Sequence, residues 1–181
     1  MWFILEDGLN LMQIYTIGHS NHTQEQFLNL LTDARIQVLV DVRSNPNSRW
    51  AKFANRDNLK EILESANIQY IYLGDVLGGR PSDSNGYDNQ TDKVDYQAIQ
   101  EKEYFRHGIN RLLDELKRYR VCIMCAEEDP TSCHRNLLVA ENLRRAGVEV
   151  FHIRGDGHIQ TDEDLWKEKV GVAANQGRLQ L

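Results

Sequence analysis

The groups best suited to chemistry lie together in Cys125-Ala126-Glu127-Glu128-Asp129-Pro130-Thr131-Ser132-Cys133-His134-Arg135. Pro130 and Thr131 read as a turn and an N-cap, which would put Cys133 in the first turn of a helix. There the exposed N–H groups and the positive dipole end favour a thiolate. His134 and Arg135 add donors beside it. Such a thiol can serve as nucleophile or acid/base group, with His134 or Asp41 as its proton partner; the competing reading is a small packed cysteine. Cys122 and Cys125 make a formal C-x-x-C, but positions i and i+3 of a strand face opposite ways, so Cys122 is expected in the core. Cys125, Cys133 and His134 or His19 could ligate zinc or iron, yet the spacing matches no strong metal signature, and no metal site is assigned. Nor does Cys133-His134-Arg135 reproduce the phosphatase loop, in which the arginine sits further past the nucleophile; a phosphate would then fall to Arg43 or Arg49.

These residues need elements to position them. Apolar, β-branched-rich runs recur at 13–17, 36–42, 69–73, 121–126 and 148–153, separated by helical patterns, which is the signature of parallel βα units. Thr23-Gln24-Glu25-Gln26 fits a capping box before the stripe Phe27, Leu30, Leu31, Ala34. The same template returns at Leu59, Ile62, Leu63 and Ala66. A long helix is expected over 95–119, with Phe105, Ile109, Leu112, Leu113 and Leu116 on one face. Another should start near Thr131 and end at Gly147, and a short one should be capped by Thr161. The expected fold is an α/β three-layer sandwich around a mainly parallel sheet of about five strands. It reads as one domain over 1–181, with ends at 1–10 and 171–181 peripheral.

Polar residues recur where the apolar runs stop. Gly18, His19 and Ser20 follow the first run; Asp41, Arg43 and Ser44 end the second, with Arg49 beyond; Gly74, Gly78 and Gly79 follow the third; Cys125 and Glu127 end the fourth; His152 and Arg154 end the fifth. In a parallel sheet these ends share one edge, where open α/β sheets bind ligands. The expected site therefore has Cys133, His134, Asp41 and His19 in catalytic roles. Gly18, Ser20, Arg43, Ser44, Arg49, Gly74, Gly78, Gly79, Cys125, Glu127, Arg135 and His152 would bind a phosphate-bearing small molecule or nucleotide. Asp41 and Arg43 can equally form a structural ion pair, and His152 can equally be a satisfied core histidine. The segment 74–93, rich in Gly, Asp, Asn and Ser, is either a lid over Arg43 and Cys133 or an unrelated surface excursion.

Composition narrows the partners. The 27 acids against 21 Lys and Arg give a formal charge of -6, which excludes coating of nucleic acid through the whole surface and leaves only a local patch, not favoured here. Three cysteines within twelve positions do not form a disulfide framework. The absence of a long apolar run or a basic leader excludes a spanning helix and leads to an expected cytoplasmic location, with no membrane partner. Cofactor and oligomeric state are not assigned by any motif.

The set Thr16-Ile17-Gly18-His19-Ser20, Val40-Asp41-Val42-Arg43-Ser44, Pro46, Ser48-Arg49, Phe53, Tyr72-Leu73-Gly74, Leu77-Gly78-Gly79, Cys125-Ala126-Glu127, Pro130, Cys133-His134-Arg135 and His152-Ile153 resembles the family called "domain of unknown function 488". The resemblance runs from about residue 14 to 155. It implies a cytoplasmic, mainly prokaryotic α/β domain and no particular reaction. Three function classes follow: a thiol enzyme, a redox- or metal-sensing module using Cys125 and Cys133, and a nucleic-acid-associated accessory protein.

Overall fold

The structure, a computed structural model, describes residues 12–20, 22–80 and 94–178. The elements are β1 (Gln13–Gly18), α1 (Gln24–Asp33), β2 (Val38–Asp41), α2 (Arg56–Ser65), β3 (Gln69–Tyr72), α3 (Gly74–Leu77), α4 (Tyr96–Gln100), α5 (Glu103–Leu116), β4 (Val121–Cys125), α6 (Glu141–Arg145), β5 (Glu149–Ile153), β6 (Ile159–Thr161) and α7 (Asp162–Arg178). The sheet order is β3-β2-β4-β1-β5-β6. The first five strands run parallel, and β6 lies antiparallel to β5. The sheet thus has six strands, one more than the apolar runs suggest. β6 is a three-residue edge strand, reached through a turn in which Gly157 adopts φ +88°, too short to register as a run.

Alternation along the strands decides which helices each side chain meets. On one face Tyr15, Ile17, Leu39, Cys122 and Met124 pack with Phe27 and Leu31 of α1 and Leu59 and Leu63 of α2. On the other Ile14, Val38, Val40, Val121 and Ile123 pack with Leu77, Ile99, Phe105, Ile109, Leu112 and Leu143 from α3 to α6. This is the three-layer α/β sandwich. Burying each such Leu, Ile or Phe contributes roughly 1.5–3 kcal/mol.

Local signals explain most boundaries. The capping box at Thr23 is formed, with Gln26 N donating to Thr23 Oγ1 and Thr23 N donating to Gln26 Oε1. Gly147, at φ +82°, ends α6 as expected. Asp95 caps α4 by accepting from Gln97 N and Ala98 N. The single helix expected over 95–119 is instead two, because Lys102 is extended (φ -71°, ψ 140°). Ile99 and Phe105 are six positions apart, about 240° around a continuous helix, and the break brings both into the same core. Thr161 Oγ1 accepts from Asp164 N at the start of α7. Of the segment 74–93, the first residues form α3; residues 81–93, and with them most of the expected lid, lie outside the described residues.

Candidate functional site

The site is assembled where β4 ends. Cys125 is its last residue, and the chain then rises through Glu127 and Glu128 to a 3-10 turn, Pro130–Ser132. Asp129, not Thr131, caps that turn by accepting from Thr131 N at 2.8 Å. Cys133 is extended (φ -114°, ψ 137°). Its carbonyl accepts from Asn136 N and Leu137 N, so it stands at the N-cap of the following helical run, one step before the first-turn position expected. That run opens as a π-helix, Arg135–Ala140, before α6. Wide turns of this kind are uncommon and recur beside functional sites.

The two thiols converge on one oxygen: Cys125 and Cys133 each donate to Glu127 Oε2 at 3.1 Å. Cys125 Sγ lies 3.6 Å from His134 Nδ1. The far nitrogen, His134 Nε2, is 2.9 Å from the carbonyl of Val42. A carbonyl can only accept, so Nε2 carries the proton and Nδ1 turns a lone pair toward the sulfurs. Cys125, Cys133 and His134 thus place two sulfurs and one ring nitrogen within 4.8 Å of one another, a set able to hold a metal ion. Gly79 clamps the ring, since a Cβ there would come within 2.5 Å of His134 Cγ. The hydrogen bond from Cys125 pulls the Cys133 thiol well below its usual range, against the cost of burial, and the Arg135 guanidinium pulls the same way. That bond and burial push Cys125 upward. Cys133 donates to Glu127 only while protonated; once it ionises, the single Cys125 S–H is shared between Glu127 and the Cys133 thiolate. Burial opposes ionisation of Glu127, but the thiol hydrogen bonds outweigh it and hold the carboxyl at about 2. Cys122, fully buried on the other face, is pushed up by desolvation.

Arg135 is 1% exposed. Its guanidinium donates to the carbonyls of Glu127 and Glu128 and to Thr16 Oγ1, fixing the loop that carries the carboxylate. Thr16 also bonds His152 Nδ1 at 2.8 Å, and His152 Nε2 lies 3.2 Å from Asp162. His152 therefore belongs to a buried network behind the thiols. Burial holds its imidazole below the usual range, while Asp162 opposes this.

Asp41 and Arg43 form a separate group. Arg43 Nη2 and Nε donate to the Asp41 carboxylate at 2.6 and 2.9 Å, and Nη2 reaches the Ala54 carbonyl at 2.7 Å. Tyr70 adds a hydrogen bond to Asp41 at 2.9 Å. Of the two readings of this pair, the structural one describes these contacts. Asp41 aligns with Met124 in the sheet, and Tyr70 packs on the α1/α2 face, so the pair faces away from Cys125 and the α5/α6 side. A single crevice was expected for all these residues; instead the carboxyl edge carries two groups on opposite faces. His19 sits at the α1/α2 side of that edge, with its ring edge toward Phe53 and its backbone N–H on the Cys125 carbonyl. Burial, then Arg43, hold its imidazole neutral, at about 4. Among the described residues its buried Nδ1 has no hydrogen-bond partner.

The remaining predicted residues lie at or beyond the carboxyl ends of β1, β2 and β3. Gly18 pairs with Cys125, where the Glu127 carbonyl approaches so closely that a Cβ would sit 1.9 Å from it. Ser20 takes φ 30° and donates its N–H to the Ala126 carbonyl. Ser44 Oγ accepts from Arg80 N, next to Gly78. Gly74 packs under the Arg43 carbonyl, and Arg49 is exposed beside Trp50, which is 96% exposed. Three contributors stand outside the expected catalytic and binding residues. Tyr70 closes the Asp41 pair. Tyr96 is raised by burial and then by Cys133, Cys125 and Glu127 nearby. Thr16 joins Arg135 to His152, and a Thr inside the apolar run Gln13–Gly18 was the signal for it.

The family model for "Domain of unknown function DUF488" matches residues 23–141, and the chain belongs to that family. The matched stretch includes the thiol cluster and Asp41; Gly18, His19, Ser20 and His152 fall outside it. A comparison with curated proteins gave no match. Among solved structures, a protein of Shewanella putrefaciens CN-32 named "Putative phosphatase (DUF442)" is similar at 17% identity and TM-score 0.39, over 73% of this chain and 68% of that one. No helix among the described residues is long and apolar enough to cross a membrane.

Proposed function

We propose that this family member is a thiol-dependent enzyme whose reacting group is Cys133. The observation that carries the reading is the buried pair of thiols on one carboxylate oxygen, with the lone pair of a tautomer-fixed histidine turned toward them. Cys125 stabilises the Cys133 thiolate as hydrogen-bond donor, and His134 Nδ1 is placed to accept or return a proton. The ligand would be a small molecule whose phosphate or other anionic end binds at the carboxyl edge, near Ser44 and Arg49. A dianion at the sulfurs themselves would meet the Glu127 carboxylate, and Arg43 and Arg135 are occupied by protein groups; the reacting atom is therefore not the phosphorus. The His19 Nδ1, without a partner among the described residues, supports a ligand at the edge, since a buried polar atom left alone costs roughly 1–3 kcal/mol.

Cys133 is only 1% exposed. Small electrophiles such as iodoacetamide should label it at least about tenfold faster than Cys122, while bulky maleimides label neither. Equal labelling of Cys122 and Cys133, read by mass spectrometry, would overturn the assignment. The nearness of the two sulfurs also favours a second reading, redox sensing through a Cys125–Cys133 disulfide. Peroxide treatment distinguishes it by a mass loss of two hydrogens that C125S abolishes.

A further inference from the structure

We propose that Cys125, Cys133 and His134 bind a zinc-class divalent metal ion, with water at the fourth position. The inference concerns the same centre as the thiol reading and adds its regulation, because a bound ion occupies the sulfur lone pairs and closes nucleophilic chemistry there.

Geometry comes first. Sulfur and nitrogen ligands on a tetrahedral zinc, at about 2.3 and 2.0 Å from the ion, lie about 3.5 Å from each other. Cys125 Sγ and His134 Nδ1 are 3.6 Å apart, and all three donor atoms fall within 4.8 Å. Ligand state follows. A metal-binding imidazole must offer an unprotonated nitrogen and is usually held by a hydrogen bond from the other. Val42 provides that partner through its carbonyl, and Gly79 against the ring face leaves the imidazole little freedom to turn. Neither the carbonyl nor the glycine contact is needed to pack a neutral surface histidine.

Charge supplies a third, separate line. With both thiols ionised, the two sulfurs and the Glu127 carboxylate carry three negative charges, against one from the Arg135 guanidinium. A divalent cation brings the sum to zero in a place where burying unbalanced charge is costly. Two sulfurs and an imidazole select zinc, cobalt or ferrous iron over magnesium or calcium, which prefer oxygen. Three protein ligands leave one position open, and Glu127 stands beside the sulfurs without belonging to the three-atom set. The two thiol protons leave as the two metal–sulfur bonds form, so no oxidant or reductant is involved.

The test uses the full chain, reduced and stripped with a chelator, titrated with cobalt(II) as the probe. One equivalent should bind and produce a sulfur-to-cobalt charge-transfer band together with the strong ligand-field bands of a tetrahedral site. C133S and C125S should each weaken cobalt binding by at least about 100-fold, as loss of a ligand exceeds the 10–100-fold typical of outer partners. C122S should leave the bands unchanged, and circular dichroism checks that each variant is folded. Cobalt binding without a sulfur band, bands that survive C133S, or no binding under reducing conditions would each overturn the proposal. The thiol reading is separated by alkylating the metal-free protein: fast labelling of Cys133 with no cobalt bands leaves that reading and removes the metal. Cobalt bands with slow metal-free labelling do the reverse.

Discussion

Replacing Asp41 by asparagine removes the counter-ion of a guanidinium that is 5% exposed. The wild-type carboxylate, fully buried, accepts from Arg43 N, Nε and Nη2 and from Tyr70. An amide of the same shape keeps one acceptor oxygen and turns an NH2 group toward donors, so Arg43 keeps its charge in a buried place without compensation. Breaking one partner of a buried ion pair typically costs about 3–5 kcal/mol. For a chain of this size that corresponds to a fall in Tm of roughly 6–20 °C. Urea unfolding of the wild type and D41N measures it, and Y70F, which leaves the ion pair intact, should cost only about 1–3 kcal/mol. A D41N loss under about 1 kcal/mol would refute the buried-pair argument. If stability were kept while Cys133 labelling slowed, Asp41 would act on the thiol directly and the separation of the two groups would be wrong.

His19 gives a pH dependence of definite sign. Its folded value of about 4 lies below the unfolded 6.5, so at pH 7 both states are mostly neutral and little is lost. Between about 6.5 and 4 the unfolded chain takes up a proton that the folded one refuses, and stability falls by about 1.4 kcal/mol per pH unit, some 3 kcal/mol in all. H19Q should flatten that part of the stability–pH curve; an unchanged slope would show that another group is responsible. Gly79→Ala should force the imidazole off Val42, costing about 1–3 kcal/mol through overpacking and slowing Cys133 labelling. Labelling at the wild-type rate would mean that the ring position does not matter to the thiol.

What could be seen in the sequence, and what could not, divides along the range of the interactions. The parallel strands, the Thr23 box, the apolar stripes and the Gly147 terminator are set within a few residues and were legible. Arg35 and Asn67, at φ 56° and 57°, end α1 and α2 without glycine, held by the tight turns into β2 and β3. The gap at Lys102 is likewise set by the core that Ile99 and Phe105 share. The polar strand ends were legible as a set, but their sorting was not. Sorting depends on register between strands, and only the pairing of Asp41 with Met124 turns Asp41 and Cys125 to opposite faces. Arg43 and Arg135 illustrate the same limit: each looks like an anion-binding residue by type, and each spends its donors on protein oxygens that chain order does not reveal.

The two groups are nevertheless joined by one residue. Val42 lies between Asp41 and Arg43, its N–H donates to the Met124 carbonyl, and its own carbonyl receives His134 Nε2. The ion pair on one face therefore anchors the end of β2 whose backbone orients the imidazole on the other. A carbonyl is fixed in direction by the chain on both sides of it, and here both flanking side chains are locked by the hydrogen bonds they share. Loosening that pair would let the Val42 carbonyl swing, and Nδ1 of His134 would leave the sulfurs with it. Asp41 is in this sense a positioning residue for a centre it does not touch. That accounts for a fully buried carboxylate at the edge of a sheet, where an apolar side chain would pack at lower cost. It also ties the two measurements on D41N together, since any change in Cys133 labelling should come in proportion to the stability lost.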